Sequence, residues 1–149
     1  MTLERQTSYG FGTRTNLPYA EALSQIKWLL KDQGFGVLTE IDVKQTMKEK
    51  RGVDFLPYAI LGACNPQLAE QALRAEPSIG LLLPCNVIVY EEAGGVVVEA
   101  MDPEAALGIA GNPALQPIAR DARARLRNAI ELLPGVASPG SRQAGVSGR

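Results

Sequence analysis

Two cysteines, Cys64 and Cys85, offer the most direct chemistry in this 149-residue chain, because it contains no histidine. Each cysteine precedes an asparagine, in the segments Cys64–Pro66 and Pro84–Asn86. The absence of imidazole excludes histidine-dependent catalytic triads, histidine zinc sites and histidine acid–base catalysis. The groups left for chemistry are carboxylates, lysines, arginines and the two thiols.

Cys64 directly precedes a predicted helix start. Asn65 can cap that helix and Pro66 suits its first turn, so Cys64 is expected near unpaired N–H groups and the positive end of the helix dipole. Such a setting favours the thiolate and lowers the pKa of a cysteine. Cys85 begins a strand after a proline, where it can face a pocket at the sheet edge. Two interpretations stay open: a functional thiol pair or ligand site, and two small core-packing residues.

The elements that position these residues are predicted from apolar spacing and turn residues. With 46% hydrophobic and 21% charged residues, the chain is typical of one globular domain, which we place at residues 1–133. Residues 134–149, rich in glycine, proline and serine, are predicted to form a flexible tail. Helices are predicted from Asn16 to Gly34, over Val43–Arg51 and Gln67–Ala75, and from Pro117; strands are predicted over Thr7–Thr13, Phe35–Ile41, Tyr58–Ala63, Cys85–Glu91 and Val96–Met101. This order predicts an α+β domain with an antiparallel sheet covered by helices on one face, with two short inserted helices.

The charge and hydropathy of the chain argue against nucleic acid and membrane as partners. The net charge is −1 overall, but +2 over residues 1–51, −7 over 52–117 and +4 over 118–149. Because the chain as a whole is acidic, it has no net attraction to phosphate, and we do not expect a nucleic-acid partner. Residues 1–12 show no secretory pattern, and no apolar stretch reaches the roughly 20 residues of a membrane helix. We therefore expect a cytoplasmic protein, with no membrane partner and with reduced cysteines.

Three sequence blocks resemble the domain-of-unknown-function 302 family. They are Gly34–Val43 (GFGVLTEIDV), Ile60–Pro66 (ILGACNP) and Gly80–Val87 (GLLLPCNV), and Ala100–Pro103 (AMDP) is similar to the family's closing motif. The resemblance covers about residues 7–133. It implies a fold similar to the TATA-binding-protein-like class, with the order β-α-β4-α, and it implies no activity. Trp28 departs from the charged residue that the family pattern leads us to expect.

These blocks also contain the candidate ligand-binding residues, which all lie at predicted strand ends. If those ends converge, a small pocket would combine two thiols, two amides and several carboxylates. The alternative is that Asn65 and Asp42 cap helices and that Asn86 satisfies a turn. The candidates are Glu40, Asp42, Cys64, Asn65, Pro66, Cys85, Asn86, Met101 and Asp102.

Three classes of function remain open. The first is a binding module for a sulfur species, a thiophilic metal or a small metabolite, with any metal on Cys64 and Cys85 and a thioether from Met101. The second is a thiol-based redox or sulfur-transfer enzyme with Cys64 as nucleophile. The third is a homodimeric interaction protein without pocket chemistry, built from an open sheet edge, the helix that carries Trp28 and the charged C-terminal helix. Trp28 on the polar side of its helix either marks an interface or packs beneath a terminal segment. Homodimerisation is compatible with the other two classes and is itself expected. The sequence indicates no particular cofactor.

Overall fold

The computed structural model describes residues 3–135, which form one six-stranded antiparallel sheet with helices. The strands are β1 (Arg5–Gln6), β2 (Gly10–Thr15), β3 (Gly36–Asp42), β4 (Tyr58–Cys64), β5 (Cys85–Glu92) and β6 (Gly95–Met101). Their order across the sheet is β1-β2-β6-β5-β4-β3, and all neighbours are antiparallel. The helices are α1 (Tyr19–Asp32), α2 (Val43–Arg51), α3 (Pro66–Ala75), α4 (Pro103–Gly108) and α5 (Gln116–Glu131), with 3-10 turns at Pro77–Leu82 and Pro113–Leu115.

The α+β class and the antiparallel sheet predicted from the sequence are confirmed. The order β2-α1-β3-β4-β5-β6-α5 is the expected β-α-β4-α, with α2 and α3 as the two inserted helices. The structure adds the short strand β1 and the helix α4. The first predicted strand is wrong at its start, because β2 begins at Gly10 and leaves Tyr9 outside the sheet and exposed. Of the predicted tail, residues 136–149 lie outside the described residues.

One face of the sheet carries the core. Alternation along β5 turns Cys85, Val87 and Val89 inward, and their cross-strand partners in β4 are also buried. α1 and α5 cover this face and pack on each other. Both helices contribute apolar side chains at helical spacing, which buries a continuous stripe. In α1 these are Ala22, Ile26 and Leu30, and in α5 they are Ala122, Leu126, Ala129 and Ile130.

The opposite face shows the other half of the alternation. Ile88 and Tyr90 of β5 lie here, opposite Ile60 and Tyr58 of β4, and the two tyrosine rings stack with centroids 5.0 Å apart. Arg5 of β1 reaches over this face and donates from Nε to Glu99 at 2.9 Å. These side chains are only partly buried, whereas those on the core face are buried.

Side-chain caps fix the starts of three helices. Asp42 Oδ1 accepts from the backbone N–H of Gln45 at 2.9 Å, which begins α2. Asn65 Oδ1 accepts from the N–H of Leu68 at 3.1 Å, which begins α3. Asp102 caps α4 in the same way. The caps predicted at Asp42 and Asn65 are therefore confirmed, whereas the predicted helix start at Asn16 is wrong, because α1 begins at Tyr19 and no side chain caps it.

Candidate functional site

A cavity of about 250 Å³ lies where β4 ends and β5 begins, and both cysteines line it. Ala63 is the cross-strand partner of Cys85, so Cys64 follows directly on the neighbouring strand. We call this space the thiol cavity. Its remaining lining comes from the sheet, the residue before β3, α3, the 3-10 turn and loop before β5, α4 and α5, and consists of Phe35, Leu38, Ala63, Asn65, Leu68, Ala69, Ala72, Leu73, Gly80, Leu83, Pro84, Leu107, Ile118 and Ala122.

The apolar stripe of α3 forms one wall of the thiol cavity. Leu68 and Ala72, four residues apart, are buried against it, and Ala69 and Leu73 continue the same face one residue later. Leu73 is 41% exposed and Leu38 is 67% exposed. Because both side chains line the cavity and also meet solvent, they mark its opening. The thiol cavity is thus an apolar recess that a small molecule can reach from solvent.

Burial makes both thiols weak acids. It raises the pKa of Cys64, and it raises the pKa of Cys85 to about 11, with a smaller contribution from the neighbouring Cys64. The predicted lowering of the Cys64 pKa is therefore wrong. Asn65 satisfies the first turn of α3 with its own side chain, and Cys64 lies one residue before that cap among apolar neighbours. At neutral pH the cavity presents two uncharged, polarisable SH groups.

The structure brings together only part of the predicted site. Cys64, Asn65 and Cys85 share the thiol cavity, and Pro66 stands at the first position of α3 beside it. Asn86 and Met101 instead line a separate cavity of about 550 Å³ on the opposite face of the sheet.

The carboxylates among the candidates have other partners. Glu40 accepts from Lys27 Nζ at 2.6 Å, and Asp42 caps α2. Asp102 caps α4 and also accepts from Arg123 Nε at 3.2 Å. These three residues hold local structure, and none of them lines the thiol cavity.

Neither cysteine belongs to a cluster of metal ligands within residues 3–135. No group of three or more cysteine, aspartate or glutamate side chains is placed to hold an ion in that part of the chain. Met101, the thioether considered for a soft metal, lines the cavity on the other face of the sheet. Any metal on this site would therefore have two protein ligands, both of them thiols with raised pKa values.

The sequence predicted a pocket at converging strand ends but did not predict its helical walls, to which Leu68, Ala72 and Ala122 belong. Each of these three residues is at most 9% exposed. The sequence feature that could have indicated the cavity is the set of alanines on two facing helices, Ala69 and Ala72 of α3 and Ala122 of α5, since small side chains on facing helices leave unfilled space. Such a pattern indicates close helix packing equally well, so the sequence alone does not separate a cavity from a tight contact.

Comparison with known proteins supplies the family. The sequence model described as "Domain of unknown function DUF302" matches residues 11–133. The chain belongs to the DUF302 family. A crystal structure of an uncharacterized conserved DUF302 protein from Bacillus stearothermophilus is 32% identical in sequence, with a TM-score of 0.78 over 84% of this chain and 98% of that one. The resemblance read from the three sequence blocks is therefore confirmed.

Family membership shows the fold and assigns no activity, because the family is described as one of unknown function. No curated protein matches the sequence. Among the helices of residues 3–135, none has the length and apolar character needed to cross a membrane.

Proposed function

We propose that this DUF302 protein is a binding module that holds a small apolar ligand in the thiol cavity. The observation that carries the proposal is the lining: two protonated thiols and a ring of aliphatic side chains around a recess that opens to solvent. A concave, mostly apolar pocket with few polar groups is the usual form of a small-molecule site.

The size of the cavity limits the ligand. An apolar cavity of about 150 Å³ takes up benzene, and sites for drug-sized molecules begin near 300 Å³. At about 250 Å³, the thiol cavity lies between these two. It suits an aromatic ring with a short substituent, or an aliphatic chain of about six to eight carbons.

The state of the thiols favours binding over the enzyme alternative. A nucleophilic or metal-binding cysteine acts as a thiolate, and such cysteines have lowered pKa values in electropositive surroundings. Burial instead raises the pKa of both Cys64 and Cys85. As neutral SH groups they make favourable contacts with aromatic and sulfur-containing ligands. Redox chemistry and sulfur transfer at this site are supported less well.

Toluene binding tests the proposal. We expect saturable binding to the wild-type protein by NMR titration, with shifts confined to residues that line the thiol cavity. Ala69→Leu fills the cavity from α3 and should weaken toluene binding by at least about tenfold, because the added side chain occupies the volume that the ligand needs. Ala75→Leu is the matched control, since Ala75 is exposed on the same helix and does not line the cavity. Absence of saturable binding, or equal binding by the Ala69→Leu protein, would refute the proposal.

A second candidate function is self-association through the edge strand β3. This strand ends the sheet with seven residues, whereas the opposite edge, β1, has two. Leu38 and Ile41 of β3 are exposed, and so is Trp28 of the adjacent helix α1, at 61%. We propose that a second copy of the chain pairs with β3 edge to edge, which would give a twofold dimer.

Light scattering after size-exclusion chromatography tests this second candidate. The wild-type protein should elute at twice the 15.9 kDa mass of one chain. Leu38→Lys should yield the monomer, because a charge at the edge opposes strand addition. A monomeric wild-type protein at micromolar concentration would contradict self-association and would leave the proposed ligand site untouched.

A further inference from the structure

A second cavity of about 300 Å³ adjoins the thiol cavity in the groove between α3 and α5. The two cavities share three walls, formed by Asn65, Leu68 and Ile118. We call the second one the polar cleft, because its other lining residues are mostly amides and charged side chains: Gln67, Gln71, Pro117, Asp121 and Arg125. An apolar recess and a polar cleft therefore meet at one boundary.

Asn65 places a hydrogen-bond donor at that boundary. Its Oδ1 is engaged by the N–H of Leu68 at 3.1 Å, which fixes the orientation of the carboxamide. Its Nδ2 lies beside Gly34, where a Cβ would come within 2.9 Å of it. Within residues 3–135 this Nδ2 forms no hydrogen bond, and it is not sealed from solvent. The cap thus holds a free donor between the two cavities.

Arg125 adds further donors to the polar cleft. Its Nε donates to Asp121 at 2.8 Å and its Nη1 donates to the backbone oxygen of Gln33 at 3.2 Å. A guanidinium carries five N–H groups, so these two bonds leave donors unused. Asp121, the carboxylate of the polar cleft, is already paired with Arg125. The polar cleft therefore offers free donors from Asn65 and Arg125, beside a carboxylate whose negative charge is balanced by its ion pair with Arg125.

We infer that the ligand is amphipathic, with an apolar chain or ring in the thiol cavity and a carboxylate or carboxamide head in the polar cleft. This inference rests on the proposed function and specifies the ligand class for the same site. The head accepts hydrogen bonds from Asn65 Nδ2 and from the unused donors of Arg125. An ammonium head is disfavoured, because it has donors only and would face Arg125 and an unpaired Asn65 donor.

Calorimetric titration with probes of one chain length tests the head group. Octanoate, octanamide and octylamine share the apolar chain, and toluene reports the thiol cavity without a head. We expect octanoate and octanamide to bind the wild-type protein at least about tenfold more tightly than octylamine, since bound octylamine would cover the Asn65 donor without accepting a hydrogen bond from it, and a covered donor left unpaired is costly.

Asn65→Asp isolates the donor. Aspartate caps a helix as well as asparagine does and keeps the acceptor for Leu68, but it replaces the Nδ2 donor with an oxygen. Octanoate and octanamide should each lose at least about tenfold more affinity than toluene does, because toluene accepts no hydrogen bond from Nδ2. Asn128→Asp makes the same substitution at an exposed position of α5 outside both cavities and should change none of the affinities.

The outcomes separate the inference from the proposal beneath it. If toluene binds but octylamine binds as tightly as octanoate and octanamide, the inference is overturned and the apolar binding function stands. Unchanged octanoate and octanamide affinity in the Asn65→Asp protein would also overturn the inference. If toluene fails to bind the wild-type protein, the proposed function itself fails.

Discussion

Cys85 and Asn86 are consecutive residues of β5, and their side chains lie on opposite faces of the sheet. Cys85 is 7% exposed and lines the thiol cavity, whereas Asn86 is exposed and lines the cavity on the other face. In the earlier Cys-Asn pair, Asn65 caps α3 and lines the same cavity as Cys64. The repeated dipeptide is thus not a repeated site, because a strand separates two neighbours that a helix start keeps together.

Native thiol labelling should distinguish the two cysteines. We expect N-ethylmaleimide to modify Cys64 faster than Cys85, because Cys64 is partly exposed and Cys85 is buried with a pKa of about 11. Both should react more slowly than an unstructured cysteine, since burial raises both pKa values. Mass spectrometry of the Cys64→Ala and Cys85→Ala proteins gives each rate separately. Equal rates for the two thiols would contradict the burial that the structure assigns to Cys85.

The buried thiol of Cys85 also predicts a loss of stability in alkali. Its ordinary pKa of 9.0 rises to about 11 in the folded protein, so the unfolded chain loses its proton first as the pH increases. The stabilisation that comes from this raised pKa is fully present below pH 9 and is lost as the pH rises through about 11. At pH 11 the loss in the free energy of unfolding is about 2 kcal/mol. Urea unfolding from pH 8 to 11 measures the slope. The Cys85→Ala protein should show a shallower decline, and parallel curves would contradict the assignment.

Features that depend on a few neighbouring residues were predicted correctly from the sequence. Asp42 and Asn65 each precede a helical pattern, and a short polar side chain at that position caps the helix whatever the rest of the chain does. Likewise, alternation in β5 assigns Cys85 to the same face as its buried valines. Such features depend on a few neighbouring residues, so the sequence contains them in full.

Which residues share the thiol cavity depends on the register of strand pairing, and the sequence alone does not determine that register. Antiparallel pairing places Asp42, at the end of β3, opposite Ala59, at the beginning of β4. Cys64 ends β4 opposite Gly36 instead, so the carboxylate of Asp42 and the thiol of Cys64 lie toward opposite ends of these strands. Met101 is near the correct end of the sheet but on the wrong face, because its neighbour Ala100 is the residue that pairs with Val87 on the core side. Residues at strand ends come together only when the ends lie at the same edge of the sheet and the side chains point to the same face.

Asp102 should contribute to stability through two separate interactions. Its Oδ1 accepts from the N–H of Glu104 at 2.9 Å, and its Oδ2 accepts from Arg123, whose guanidinium lies 5.2 Å from the centroid of the Phe11 ring. We expect Asp102→Ala to lower the free energy of unfolding by about 1–2 kcal/mol, since cap and ion pair are both lost. Asp102→Asn keeps the cap and should cost less than about 1 kcal/mol. Urea denaturation decides between them, and equal losses would show that α4 does not depend on its cap.

Gly62 should not tolerate a side chain, because two neighbours occupy the space beside its Cα. A Cβ there would collide with the hydroxyl of Thr39, its cross-strand partner in β3, and would lie 2.9 Å from Cγ of Pro84. We expect Gly62→Ala to destabilise the protein by about 1–3 kcal/mol, since the close-packed strand must shift to admit the methyl group. Thr39→Ala removes one of the two obstructions, so the double variant should recover part of the loss, with the Pro84 ring accounting for the remainder. A double-mutant cycle by urea denaturation measures this coupling. Strictly additive effects of the two substitutions would mean that Thr39 and residue 62 do not meet across the strands.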